Sequence, residues 1–209
     1  PQAKLATLNR FLFEERGFHG SHTDYYARSN SYLNEVIDDR EGLPITLSVL
    51  YMEIARRLDL KVVGVPLPGH FLVRHEPRKG KEQYIDVFDG KSITRAEAEA
   101  RSKKATGETP IPEDFQPAGK KTIILRMLRN LVHVAESERD RDGLLRYLDG
   151  ILAVDAESHP DRWMRAVFRY QAGQRAGAMA DCDHLLRAMP AGADLDRVRE
   201  LRKFLETPK

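Results

Sequence analysis

Few side chains in this 209-residue sequence suit covalent or metal chemistry, and their positions restrict what that chemistry can be. There is one cysteine, Cys182. It falls at helical spacing among apolar residues and reads as a small packing residue rather than a nucleophile. A single thiol also excludes an intrachain disulfide, which fits a reducing, cytoplasmic setting. His19 and His22, with His75 elsewhere, offer imidazoles, but no cysteine accompanies them and the acidic residues are scattered. The expectation is therefore no metal and no cofactor. Asn30 and Asn34 lie on either side of the start of a short helix; their amides could serve as donors to a cleft, or as caps and turn formers. The remaining candidates are His70, at the head of an apolar strand, and Asp86, on the strand after it. A carboxylate bonded to one imidazole nitrogen fixes the tautomer and raises the ring's basicity. The same bond can equally do no more than tie two strands together.

These residues are carried by recognisable elements. Leu5, Leu8, Phe11 and Leu12 recur at helical spacing and predict a helix over Lys4 to Arg16, stopped by Gly17. Residues 18–31 are polar and read as a loop, and a short helix follows near Tyr32 to Arg40. Pro44 suits the first position of a helix, where its missing N–H is not needed. From there to Leu58 apolar residues cover nearly the whole circumference, which predicts a central, buried helix. Val62 to Leu67, His70 to His75 and Tyr84 to Phe88 then read as three strands, separated by Pro68-Gly69 and a charged hairpin connection. Thr94 with Glu97 forms a capping box that opens a charged helix.

Residues 106–119 contain three prolines and two glycines and read as a linker, so the expected division is 1–105, a linker at 106–119, and 120–209. The last part repeats. Leu144, Leu148 and Ile151 return as Ala178, Cys182 and Leu185, each 34 residues on, which is the tetratricopeptide period. Ala166 fills the small-residue position, Gly173 the turn and Pro190 the end of the second unit. Val198, Leu201, Phe204 and Leu205 predict a final capping helix.

The net charge of +2 gives no strong field for nucleic acid or an anionic membrane. Lys103-Lys104, Lys120-Lys121, Arg126 and Arg129 read as solvated surface. No apolar run approaches the roughly 18 residues of a membrane helix, and Pro1-Gln2-Ala3-Lys4 has no apolar signal core.

Gly42-Leu43-Pro44-Ile45-Thr46-Leu47-Ser48, Gly69-His70-Phe71-Leu72-Val73 and Tyr84-Ile85-Asp86-Val87 together resemble the transglutaminase-like core. In that superfamily a Gly-x-Cys opens a buried helix, a His begins the next strand and an Asp lies on the strand after it, forming a Cys-His-Asp triad of the papain type. Asn30-Ser31-Tyr32-Leu33-Asn34-Glu35-Val36, Pro68 to Arg74 and Leu8 to Phe13 are similar to the SirB-type branch, in which the core precedes a tetratricopeptide tail. The resemblance implies an α+β fold: a papain-like core with a central buried helix and a small antiparallel sheet, then all-α tetratricopeptide-like repeats. Members of the branch usually carry a further helical segment first, and the chain starts without Met, so a truncated start is expected.

The resemblance places the nucleophilic cysteine at Pro44, which has no nucleophilic atom, while His70 and Asp86 occupy the other two triad positions. Thr46 and Ser48 are the nearest hydroxyls; each could be a substitute nucleophile activated by His70, or a residue that caps or packs the helix. The expected function is a non-catalytic protein that binds or scaffolds a peptide or protein partner through the cleft (Asn30, Asn34, His70, Asp86) or the helical surface. The alternative is a hydrolase or acyl-transferase with a rearranged active site.

Overall fold

A computed structural model describes residues 2–207. The chain divides into two compact units, Pro1–Ile123 and Ile124–Lys209. Among the described residues, no helix is long and apolar enough to cross a membrane.

The first unit opens with α1 (Gln2–Asn9), which continues as one π-helical stretch, Arg10–Glu15. The wider turn re-aims the predicted stripe: Leu5, Leu8 and Leu12 are buried while Phe11 is left exposed. Residues 18–31 are not simply a loop. His19–Gly20 (β1) pairs in parallel with Glu41–Gly42 (β2), on either side of α2 (Leu33–Asp39). Gly20 is required there, because a Cβ would lie 2.2 Å from the Phe88 ring.

The buried helix is α3 (Pro44–Arg57), with Pro44 at its first position. Its Tyr51 is fully buried and donates its hydroxyl proton to Asn9 Oδ1 at 2.6 Å, tying α3 to α1. Against α3 lies an antiparallel meander of four strands in the order β3 (Val62–Val65), β4 (Leu72–His75), β5 (Gln83–Asp86) and β6 (Lys91–Ile93). Val73 and Ile85 are cross-strand partners and join Leu47, Tyr51, Ala55 and Leu5 in one apolar cluster. Leu72, Tyr84 and Ile93 join Val65, Ala98 and Phe115 in a second cluster. The sheet is thus covered on both faces, so β4 is buried at all four positions rather than showing the alternation of a half-solvated strand. The strand β6 has no counterpart in the sequence reading.

Helix α4 (Arg95–Thr106) starts at the predicted capping box: Glu97 N donates to Thr94 Oγ1 at 3.2 Å, and Thr94 N donates to Glu97 Oε2 at 2.6 Å. Gly107 ends it in the left-handed conformation (φ 82°). The stretch read as a linker is folded onto this unit. Pro112–Phe115 forms a 3₁₀ turn, Phe115 is buried among the sheet residues, and Ala118 N donates to Gly64 O at 2.9 Å. The boundary between compact units falls instead at Ile123/Ile124, inside α5 (Lys120–Glu138).

In the second unit, α6 (Arg141–Val154), α7 (His159–Gln171), α8 (Arg175–Ala188) and α9 (Leu195–Glu206) each pack on the next. The six positions related by 34 residues, Leu144, Leu148, Ile151, Ala178, Cys182 and Leu185, are all buried. Between α7 and α8 the buried Asp181 carboxylate accepts hydrogen bonds from Arg162, Arg165 and Arg169.

Candidate functional site

The site begins with a turn. Pro68-Gly69 occupies its two central positions, Gly69 has φ +68°, and His70 N donates to Leu67 O at 3.1 Å. Helix α4 presses on this turn. A Cβ on Gly69 would lie 2.7 Å from Ala105 Cβ, and Ser102 Oγ donates to Pro68 O at 2.8 Å. His70 is therefore delivered at the mouth of β4, two residues ahead of the strand, with its side chain 16% exposed.

Asp86 is the last residue of β5 and is completely buried. The register Val73↔Ile85 brings the start of β4 beside the end of β5. His70 Nε2 and Asp86 Oδ2 are 2.8 Å apart. Nε2–H donates to the carboxylate, which fixes the orientation of the ring. Arg101 of α4 donates to the same oxygen at 2.5 Å and also to Asp89. The other carboxylate oxygen, Oδ1, accepts from Phe88 N at 3.1 Å and Asp89 N at 3.4 Å. Burial by itself would raise the Asp86 pKa. The His70 hydrogen bond and charge, the Arg101 guanidinium and the Phe88 N–H outweigh that and hold the carboxyl below its ordinary value. The result is an ionised, fully coordinated carboxylate that fixes one histidine.

The start of α3 offers no comparable chemistry. Pro44 is buried and supplies neither a nucleophilic atom nor an N–H at the helix N-terminus. Thr46 Oγ1 accepts from Leu43 N at 3.0 Å and donates to Asn30 O at 2.8 Å, so its hydroxyl closes the helix start. Ser48 is fully buried and has no hydrogen-bond partner among the described residues.

Asn30 is buried, and its amide nitrogen donates to Asp24 O at 2.7 Å and Tyr25 O at 3.3 Å. This is the turn-forming arrangement, with the donor turned into its own loop. Asn34 is exposed on α2. Of the sequence-derived candidates, the structure thus joins His70 with Asp86. It spends the Asn30 amide locally and leaves Asn34 on the surface. His22 meets Phe88 edge-on with ring centroids 4.7 Å apart, and His75 is buried at the end of β4. Among the described residues, none of His19, His22 and His75 joins a group of three metal-ligating side chains.

Arg101 and Asp89 belong to the site and were not foreseen. The only signal for Arg101 was its place two turns beyond the Thr94–Glu97 capping box, which fixes the start of α4 but not what its face meets.

Residues 1–129 match the family model described as "Transglutaminase-like superfamily". A UPF0162 protein of Xylella fastidiosa (strain Temecula1) is 37% identical over 203 residues, covering 94% of this chain and 72% of that protein. Protein SirB1 of Salmonella typhimurium is 24% identical over 198 residues, covering 94% and 74%. F-box only protein 21 of Homo sapiens is 32% identical over 142 residues, covering 64% of this chain and 22% of that protein. No solved structure matches. The family match over residues 1–129 and the long alignments to SirB1 and its relatives show that the chain belongs to the transglutaminase-like superfamily, in its SirB-type branch.

Proposed function

We propose that this protein is a non-catalytic member of its superfamily that binds a peptide or protein segment beside His70, with α6–α9 as tetratricopeptide-like units supplying a second surface. The observation that carries the reading is Pro44 at the first position of α3, the position to which the sequence resemblance assigns the superfamily's cysteine. Acyl transfer of the papain type needs a nucleophile next to the base. Pro44 has no such atom, the Thr46 hydroxyl is engaged by Asn30 O and Leu43 N, and Cys182 is buried in the second unit. A cytoplasmic setting is part of the proposal, supported by the sole cysteine.

A second reading is a hydrolase or acyl-transferase with a rearranged site. What favours it is the retained pair, with His70 and Asp86 at 2.8 Å and the carboxylate held ionised. Two measurements separate the readings. Intact-mass spectrometry after incubation with activated acyl esters should show no adduct, and a peptide array should show binding that His70→Ala weakens. A covalent acyl adduct mapped to residues 42–48 would overturn the binding reading in favour of the enzymatic one.

A further inference from the structure

The strongest unassigned chemistry lies in the second unit. Glu157 sits in the α6–α7 connection, His159 is the first residue of α7, and His184 projects from α8. Their ligand atoms, one from each side chain, all lie within 4.8 Å of one another.

Three features set this group apart from a chance meeting of polar side chains. First, His184 Nε2 is buried and has no hydrogen-bond partner among the described residues. A buried imidazole normally satisfies its ring nitrogens, so this orphan, on a ring whose centroid is 6.1 Å from that of His159, calls for an explanation. Second, His159 Nε2 and Glu157 Oε2 are 3.6 Å apart, too far for a good hydrogen bond. The separation is close to the ~3.3 Å expected between two donors on one tetrahedral ion with bond lengths of ~2.0–2.1 Å. Third, the nearby guanidinium of Arg162 is directed to other partners, Asp181 Oδ1 at 3.3 Å and Ala156 O at 2.8 Å.

We propose that Glu157, His159 and His184 form a binding site for a divalent transition-metal ion of the zinc class. Two imidazoles and one carboxylate are a donor set for zinc, cobalt or nickel rather than for calcium or magnesium, which take oxygen ligands. The Glu157 side chain is largely exposed and can swing inward, whereas both histidines are held by packed helices. Three protein donors leave a fourth position for water. His159 also borders a cavity of about 340 Å³ lined by Trp163, Leu185, Pro190 and Arg197. The ion would clamp the α6–α7 connection to α8, across a helix pair otherwise joined by side-chain packing and the Asp181 ion pairs. The motif is not one that spacing reveals: Glu157 and His159 are neighbours, but His184 lies on the following helix.

The test uses the full chain, stripped with a chelator and titrated with zinc alone by calorimetry and with cobalt alone by visible absorption. One equivalent should bind, with the intense ligand-field bands of a tetrahedral cobalt ion. Glu157→Gln should weaken binding roughly tenfold or more, and the His159→Ala/His184→Ala pair should abolish it. His22→Ala should leave it unchanged. Zinc should also raise the melting temperature of the unsubstituted chain and not that of His184→Ala. Because Glu157 is exposed, its substitution preserves the fold even if the double variant does not, so the comparison survives misfolding. Absence of stoichiometric binding, or binding equal in the unsubstituted and Glu157→Gln proteins, overturns the proposal.

Discussion

Asp86→Asn is the most informative single substitution in the first unit. The side chain keeps its shape, and its remaining oxygen can still accept from Phe88 N and Asp89 N. What is lost is the charge, and with it the two charge-assisted hydrogen bonds from His70 and Arg101 to Oδ2. Such bonds contribute about 1.5–3 kcal/mol each. Relief of the buried carboxylate's desolvation offsets part of that sum, leaving a destabilisation of about 3 kcal/mol at pH 7. The loss should depend on pH in a defined direction. The folded-state pKa of Asp86 is lowered, so its contribution is fully present above the unfolded value of about 3.9 and disappears as pH falls through the lower folded value. Wild type and variant should therefore differ at pH 7 and converge on acidification below about pH 4. The sole tryptophan, Trp163, lies in the second unit, so fluorescence is the wrong reporter. Amide hydrogen exchange over residues 70–90, followed by mass spectrometry across a pH series, reads the opening free energy where the change is made. A difference under about 1 kcal/mol at neutral pH, or one that stays constant into acid, would refute the claim that the Asp86 charge organises this site.

Two further outcomes are expected. Cys182 is fully buried, and burial pushes its thiol up to about 11, so native protein should resist a thiol reagent at pH 7 and react only in denaturant; rapid native labelling would refute the packing role. Asp181→Asn should destabilise the second unit by about 3 kcal/mol, read from Trp163 fluorescence in urea, because Arg162, Arg165 and Arg169 lose the carboxylate they share; a change under about 1 kcal/mol would show that these arginines are adequately hydrated without it.

The sequence was most legible where one physical signal dominated. Pro44 and the dense apolar run behind it specify α3, whose first turns are buried; near its end Glu53, Arg56 and Arg57 pair on an exposed face that the apolar run did not announce. Leu5, Leu8 and Leu12 specify α1 and its π-helical continuation, and the 34-residue recurrence specifies the positions buried in α6 and α8. Legibility failed where long-range packing decides. Lys91-Ser92-Ile93 is too short and polar to read as a strand; it becomes β6 because Tyr84, Ile85 and Asp86 offer it a free edge. Residues 106–119 have the composition of a tether, but Phe115 finds the uncovered side of the sheet and draws the segment in. At the site, His70 and Asp86 were identifiable from their motifs. Arg101 was not, because its partners lie 15 and 12 residues upstream and nothing local in a charged helix marks one arginine from another. The local role of Asn30 was one of two readings of an asparagine beside a helix start, and sequence alone had no means of choosing between them.

Helix α4 touches the site's supports three times within little more than one turn: Arg101 on Asp86, Ser102 on Pro68 O, and Ala105 against Gly69. That arrangement makes the segment intolerant of length variation in a way that side-chain identity alone would not suggest. Each residue advances a helix by about 100°, so one residue added or deleted between Ser102 and Ala105 swings the two contact points out of alignment. No translation of the helix along its axis can restore both. Insertions between Ile93 and Thr94, by contrast, change only the approach to the helix and leave Asp89, β6 and the contact face of α4 intact. Across natural relatives, gaps should therefore be tolerated between β6 and α4 and be absent from Ser102 to Ala105, even where the residues of α4 themselves diverge.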